Sequence, residues 1–189
     1  MVIDDFILMD EDDFGLMKEL VGTPEEKLIQ LLIKSAEKIP PNVEGMYEYV
    51  FNRSRKFGEE FVNSILSYIG ISRKGLRESD LENLITEYEK QKWNNLNFAS
   101  FRRYFRNHIV QKGELGLWDF RHVKARESLK RNVLKNEKDL HRNLSQHLDK
   151  LKEEDPLRLS EVIWHLFKWD DKKRVAEVYG SRDTEESLT

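Results

Sequence analysis

Apolar residues recur at intervals of three and four along most of this chain, the period of helices with one buried face. Thr23-Pro24-Glu25-Glu26 is a helix start, with a hydroxyl cap, proline at the first helical position and acids in the first turn. Leu28, Leu31, Leu32, Ala36 and Ile39 follow at helical spacing, and Pro40-Pro41 stops the run. The pattern predicts a second helix over 43–56, with Val43, Met46, Tyr47 and Val50 on one face. It predicts a third over 58–69, with Phe61, Val62, Ile65, Leu66 and Ile69 buried and Gly70 as its C-terminal cap. An extended piece, 71–76, comes next. Ser79-Asp80-Leu81-Glu82 fits a capping box for a short helix carrying Leu81, Leu84 and Ile85.

After a polar loop with Trp93, a helix is expected over 97–111, its apolar face Phe98, Phe101, Phe105 and Ile109. Gly113 to Gly116 reads as a turn. Leu117 to Phe120 reads as a strand, because Trp118, Phe120 and His122 alternate with Asp119 and Arg121. Three further helices follow. One carries Ala125, Leu129 and Val133; one, over 138–152, carries Leu140, Leu144, Leu148 and Leu151. The third begins after Pro156, with Leu159, Val162, Ile163, Leu166 and Phe167. Residues 172–179 form a last short piece. Two apolar islands in acid, Val2-Ile3 and Phe6-Ile7-Leu8, fit a short strand or a loosely anchored arm.

The expected fold is therefore mainly α. It has an acidic segment and helical lead-in (1–57), a winged-helix domain with a small β wing (58–122), antiparallel helices beginning a helical arm (123–180) and a flexible tail (181–189). The order helix, short strand, helix, helix, turn, strand is that of a winged helix.

Composition narrows the class. Of 189 residues, 39% are hydrophobic, 35% charged and 11% aromatic, which suits a helix-rich chain with wide solvated faces rather than a disordered one. Apolar stretches are too short for a membrane span, and the N-terminus is acidic where a signal peptide is basic. The absence of cysteine excludes disulfides and thiolate chemistry and fits a cytoplasmic protein. The net charge of −3 hides an asymmetry: residues 1–30 carry −7 and residues 101–135 carry +7. Such a chain either folds one end on the other or docks its basic surface on an acidic partner.

No phosphate-cradling glycine loop and no nucleophile elbow occurs. His141 and His147 are six apart, not at the four-residue spacing of a zinc helix, so no metal site is expected. Carboxylates sit on solvated faces without a catalytic pairing. No catalysis and no cofactor are expected of this chain. Arg102, Arg103 and Arg106 flank the apolar face of the 97–111 helix, as base-reading side chains do in a DNA-binding winged helix, or as an interdomain contact would. A wing with a single base, Lys112-Gly113-Glu114, and a pI near 6.0 argue against nucleic acid as a partner. His122, at the end of the strand, shares a helical face with Ala125 and Leu129, which points it inward as a core histidine or a ligand.

The stretch 71–81, Ile-Ser-Arg-Lys-Gly-Leu-Arg-Glu-Ser-Asp-Leu, resembles the s-r-x-G-L-x-E-x-x-L segment of the winged-helix domains of STAND-class signalling NTPases. These are the NACHT and NB-ARC type, the group of apoptotic protease-activating factor and of the telomerase-associated and nephrocystin relatives. Leu117-Trp118-Asp119-Phe120-Arg121-His122-Val123 stands where the family has its MHD strand, with His122 at the histidine and Val123 in place of the aspartate. Leu140-His141-Arg142-Asn143-Leu144-Ser145, and Ile163-Trp164-His165-Leu166 followed by Asp170-Asp171-Lys172-Lys173-Arg174, are similar to the helices that begin the family's arm. The likeness runs over about 42–180.

The resemblance implies that His122 senses nucleotide in a parent protein, contacting the β-phosphate of ADP from the domain surface. ADP or ATP would be held by an NTPase domain of that parent, whose Walker motifs do not occur in this sequence. The implied role is a non-catalytic regulatory segment that couples nucleotide state to domain rearrangement and protein–protein assembly. Its partners would be that NTPase domain and other protein domains or subunits. The alternatives are a freestanding winged-helix DNA-binding regulator and a helical interaction scaffold.

Overall fold

The computed structural model describes residues 22–186 except 39, 133 and 135. The islands at 2–8, Ile39, Val133 and residues 187–189 lie outside the described residues. The chain divides into two compact units, 1–52 and 53–189. The expected winged and arm segments both fall within the second.

In the first unit, α1 (Pro24–Glu37) opens as its sequence directs. The Glu26 N–H donates to the Thr23 hydroxyl (3.2 Å), and the Thr23 N–H donates to the Glu26 carboxylate (2.9 Å), a reciprocal cap. The helix stops at Glu37, before the two prolines. Helix α2 (Val43–Ser54) follows, and Tyr47 and Phe51, one turn apart, are both buried.

The second unit is mainly helical with a small two-stranded antiparallel sheet, as the apolar pattern predicts. A 3-10 turn (Arg55–Phe57) leads into α3 (Glu59–Ile71), whose Val62, Ile65, Leu66 and Ile69 are buried. Gly70 does not cap it. The helix runs on to Ile71, and Gly70 lies inside it because Leu129 occupies the space of its missing side chain. An extended segment, 72–76, then reaches Leu76, which bridges to Trp118 through reciprocal backbone hydrogen bonds of 3.1 and 2.8 Å. Gly75 makes that approach possible. Its φ is +95°, and a Cβ there would stand 2.4 Å from the Trp118 carbonyl oxygen.

Helix α4 (Glu78–Glu87) buries Leu81, Leu84 and Ile85. Its cap is not the expected Ser79. Arg77 precedes the first turn, and its N–H donates to the Asp80 carboxylate at 3.1 Å, since Ser79 is already helical. Trp93 wedges between Phe61 and Phe98 at ring distances of 5.4 and 4.8 Å.

Helix α5 (Asn95–Tyr104) is shorter than the 97–111 run predicted. Phe105 leaves helical geometry (φ −91°, ψ 9°), and β1 (Ile109–Lys112) pairs with β2 (Leu117–Phe120) in the register Ile109–Phe120. Two features favour the hairpin. Ile109 and Val110 are β-branched, and the turn glycines Gly113 and Gly116 take φ of +65° and +60°. The strict alternation expected of β2 is broken too, because Asp119 is buried together with Phe120.

Helices α6 (Val123–Asn132), α7 (Glu137–Asp149), α8 (Pro156–Lys168) and α9 (Lys172–Glu186) complete the unit. α7 and α8 form an antiparallel hairpin closed by Leu144, Leu148, Leu157, Val162 and Leu166, while Leu159 and Phe167 face outward. α9 continues to Glu186, so the backbone of 181–186 is helical where a flexible tail was expected.

Candidate functional site

Part of the set singled out by the sequence lies at the exit of the hairpin. The Arg121 N–H donates to the His108 carbonyl (2.8 Å), so the turn after α5, with Arg106, lies beside the end of β2, with Arg121 and His122. His122 is exposed. Its expected inward direction assumed a helical position. In fact α6 begins one residue later, and His122 joins the helix only through its carbonyl, which accepts from the Ala125 N–H (3.1 Å). The inner face starts at Ala125, and Val123 beside the histidine is 72% exposed.

The three arginines are not one flank of one helix. Arg102 and Arg103 are on α5, but Arg106 is in the turn beyond it, because the helix ends at Tyr104. Arg102 is engaged at home: its guanidinium sits over Phe98 and Trp118, 5.2 and 5.8 Å from the ring centres, and 3.5 Å from Glu78. Arg103 and Arg106 are exposed.

A second constellation was not singled out by the sequence. It is a seam of buried polar groups between the winged segment and the arm. Arg77 Nε lies 2.7 Å from Asp80 and Arg77 Nη1 lies 2.8 Å from Asp155, the residue that caps α8. His147 of α7 meets the same Asp80 at 2.9 Å through Nε2. Burial by itself would raise the Asp80 carboxyl, but the hydrogen bonds from His147 and Arg77 outweigh it and hold it below its ordinary value. Asp155 is lowered in the same way, burial being overcome by Arg77 and by the N–H groups of Leu157 and Arg158.

Deeper in the seam, the Arg73 N–H donates to Glu161 Oε2 (3.0 Å). The same oxygen lies 3.1 Å from His165 Nε2, and His165 Nδ1 lies 2.7 Å from His141 Nδ1. Glu161 and His165 are fully buried, and Glu161 Oε1 has no hydrogen-bond partner.

A signal for this seam is present in the sequence. Glu161 and His165 stand four and eight residues after Leu157, on its helical face, so two polar groups share the stripe of a core leucine. Comparing His141 only with His147, on its own helix, misses the partner 24 residues away.

Among the described residues no group of three or more His, Asp or Glu side chains is arranged to hold a metal ion. Among the same residues no helix is long and apolar enough to cross a membrane. An open cleft between the start of α7 and the α8–α9 turn is lined by Lys138, Asp139, Arg142, Trp169 and Asp170, and none of the sequence-predicted site residues enters it. The chain matches no family model, no curated protein and no solved structure.

Proposed function

We propose that this chain is a regulatory segment of a STAND-type signalling ATPase, without catalytic chemistry of its own, which transmits the nucleotide state of an NTPase domain to neighbouring protein domains. One observation supports the reading most: His122 stands exposed two residues after β2, the strand that carries the Leu76–Trp118 bridge of a three-segment wing. An exposed imidazole there suits a contact to a phosphate held by another domain, since it donates a hydrogen bond to an anion and strengthens it when protonated. Arg121, its exposed neighbour in the chain, favours the same charge. One histidine cannot replace a phosphate cradle, so nucleotide affinity belongs to the partner domain. ADP or ATP is the ligand of that parent protein, acting in the cytoplasm.

The buried seam supports the mechanical side of the proposal. Arg77, Asp80, His147 and Asp155 tie the winged segment to the α7–α8 hairpin, so a rotation of one carries the other. The freestanding DNA-binding reading has less support, because Arg102 is already committed to Glu78 and two aromatic rings.

The test is association in trans with a P-loop module encoded in the same reading frame or transcript. ADP should strengthen the complex, and His122→Ala should remove that strengthening without removing the complex. The absence of any such module, or a complex indifferent to ADP, sinks the reading.

A further inference from the structure

We propose that the His141–His165 pair is an acid-released latch: it tolerates one added proton, and a second forces α7 away from α8 and so loosens the arm hairpin from the winged segment. This does not depend on the nucleotide reading above.

The argument begins with proton counting. The two Nδ1 atoms are 2.7 Å apart, a distance that requires one to carry hydrogen and the other a lone pair. In the neutral pair, His165 donates Nε2–H to Glu161, leaving its Nδ1 to accept from His141 Nδ1–H. With one added proton, three of the four ring nitrogens carry hydrogen, and a single bare Nδ1 still suffices. With two, both Nδ1 atoms carry hydrogen and face each other, and two cations share a buried site. The 2.7 Å contact cannot survive.

The anchoring decides which ring moves. His165 is fully buried and held at Nε2 by Glu161, which the Arg73 N–H fixes in turn. The second nitrogen of His141 faces only Glu137 Oε1, at 3.5 Å, on the half-exposed first turn of α7. His141 therefore leaves, and the start of α7 leaves with it. Burial, and after it the charge on His165, lower the His141 imidazole to about 4, with Glu137 opposing in part.

The other charges around the pair do not offset a second proton. On α8, Lys168 adds a further positive field at His141. On the extended segment, the Arg73 guanidinium is turned over Trp164 at 5.4 Å. On α4, Asp80 is committed to His147 and Arg77, and Glu87 to Lys150. From α3, Tyr68 presents a neutral hydroxyl, and on α9, Arg174 is paired with Asp149 and Glu177.

The experiment is a titration of the full chain from pH 8 to 4, following the histidine ring carbons and the cross-ring contact between His141 and His165 by NMR, with far-UV circular dichroism alongside. The pair should take up its two protons in separate steps at least about one pH unit apart. The cross-ring contact should vanish with the second step while helical signal remains. Release is also followed by the backbone amide shifts of the first turn of α7; in His141→Gln, where only one proton can enter, that amide profile should move lower by about one pH unit or more. Uptake of both protons in one step, a contact that outlives the second step, or loss of contact only with global unfolding overturns the latch. So does a His141→Gln profile unchanged from the parent. If that variant does not fold, the titration of the unaltered chain decides alone.

Discussion

Leu129 of α6 fills the space that a side chain on Gly70 of α3 would occupy; a Cβ built there would meet Leu129 Cδ2 at 2.3 Å. The glycine is a packing requirement inside a helix, not a turn. Gly70→Ala should gain about 0.5–1 kcal/mol of helix propensity and lose about 1–3 kcal/mol to overpacking, a net destabilisation. Urea denaturation measures it. In a Leu129→Ala background the cost should shrink or change sign; equal costs in both backgrounds would refute the contact.

Asp80 should govern stability in acid. Its folded-state value is lowered, so its contribution is complete above the ordinary carboxyl value of 3.8 and is lost as pH falls through the folded value. Asp80→Asn leaves Arg77 and His147 facing a neutral group and should cost about 3 kcal/mol at neutral pH, as breaking a buried pair does. Thermal melts between pH 7 and 3 should show the gap between variant and parent closing at the acid end. A constant gap would remove Asp80 from that role.

His122→Ala should change the stability of the chain by no more than about 0.5 kcal/mol, because an exposed side chain outside a helix face has little to lose. If the proposed regulatory role holds, the same change in the parent protein should weaken ADP binding and raise basal signalling, since it would remove a contact made only in the resting state. A melting temperature that drops by many degrees would mean that the imidazole is structural.

The chain by itself should bind ATP and ADP weakly. Calorimetry with magnesium at micromolar protein is expected to give no heat, and a submicromolar dissociation constant would contradict the absence of a phosphate cradle in the sequence.

Contacts of Arg103 and Arg106 with duplex DNA should be phosphate-only and should collapse between about 50 and 200 mM salt. Retention of one sequence at the higher salt, lost in Arg103→Ala/Arg106→Ala, would favour the DNA-binding alternative.

What could be read in the sequence was whatever depends on a local period. Thr23-Pro24 and Asp155-Pro156 announce their helices, and Leu81, Leu84 and Ile85 announce a buried face, because cap and stripe are written within one or two turns. The end of α5 was harder. Phe101, Phe105 and Ile109 keep helical spacing across a boundary, and only the pairing of Ile109 with Phe120 makes that residue a strand. Gly70 reads as a cap until Leu129, 59 residues later, is placed beside it. The polar seam depends on partners still farther apart, such as Arg73 with Glu161 and Asp80 with His147, which no window of the chain contains.

Arg126 shows what such separation means for assembly. Its guanidinium donates to the carbonyls of Gly70 (2.9 Å) and Ser72, at the end of α3, and to the buried carboxylate of Asp119 in β2. The Gly70 carbonyl in the last turn of α3 and the Ser72 carbonyl just beyond it are thus satisfied by a side chain more than fifty residues away. Until α6 docks, the carbonyls of Gly70 and Ser72 lack this donor, and the Asp119 carboxylate keeps only the Lys112 ammonium (2.8 Å) and the Phe120 N–H (2.7 Å). Neither half of the winged segment has a comfortable intermediate, so helix end, hairpin and α6 should form and open together, and their amides should exchange with solvent as a single cooperative unit.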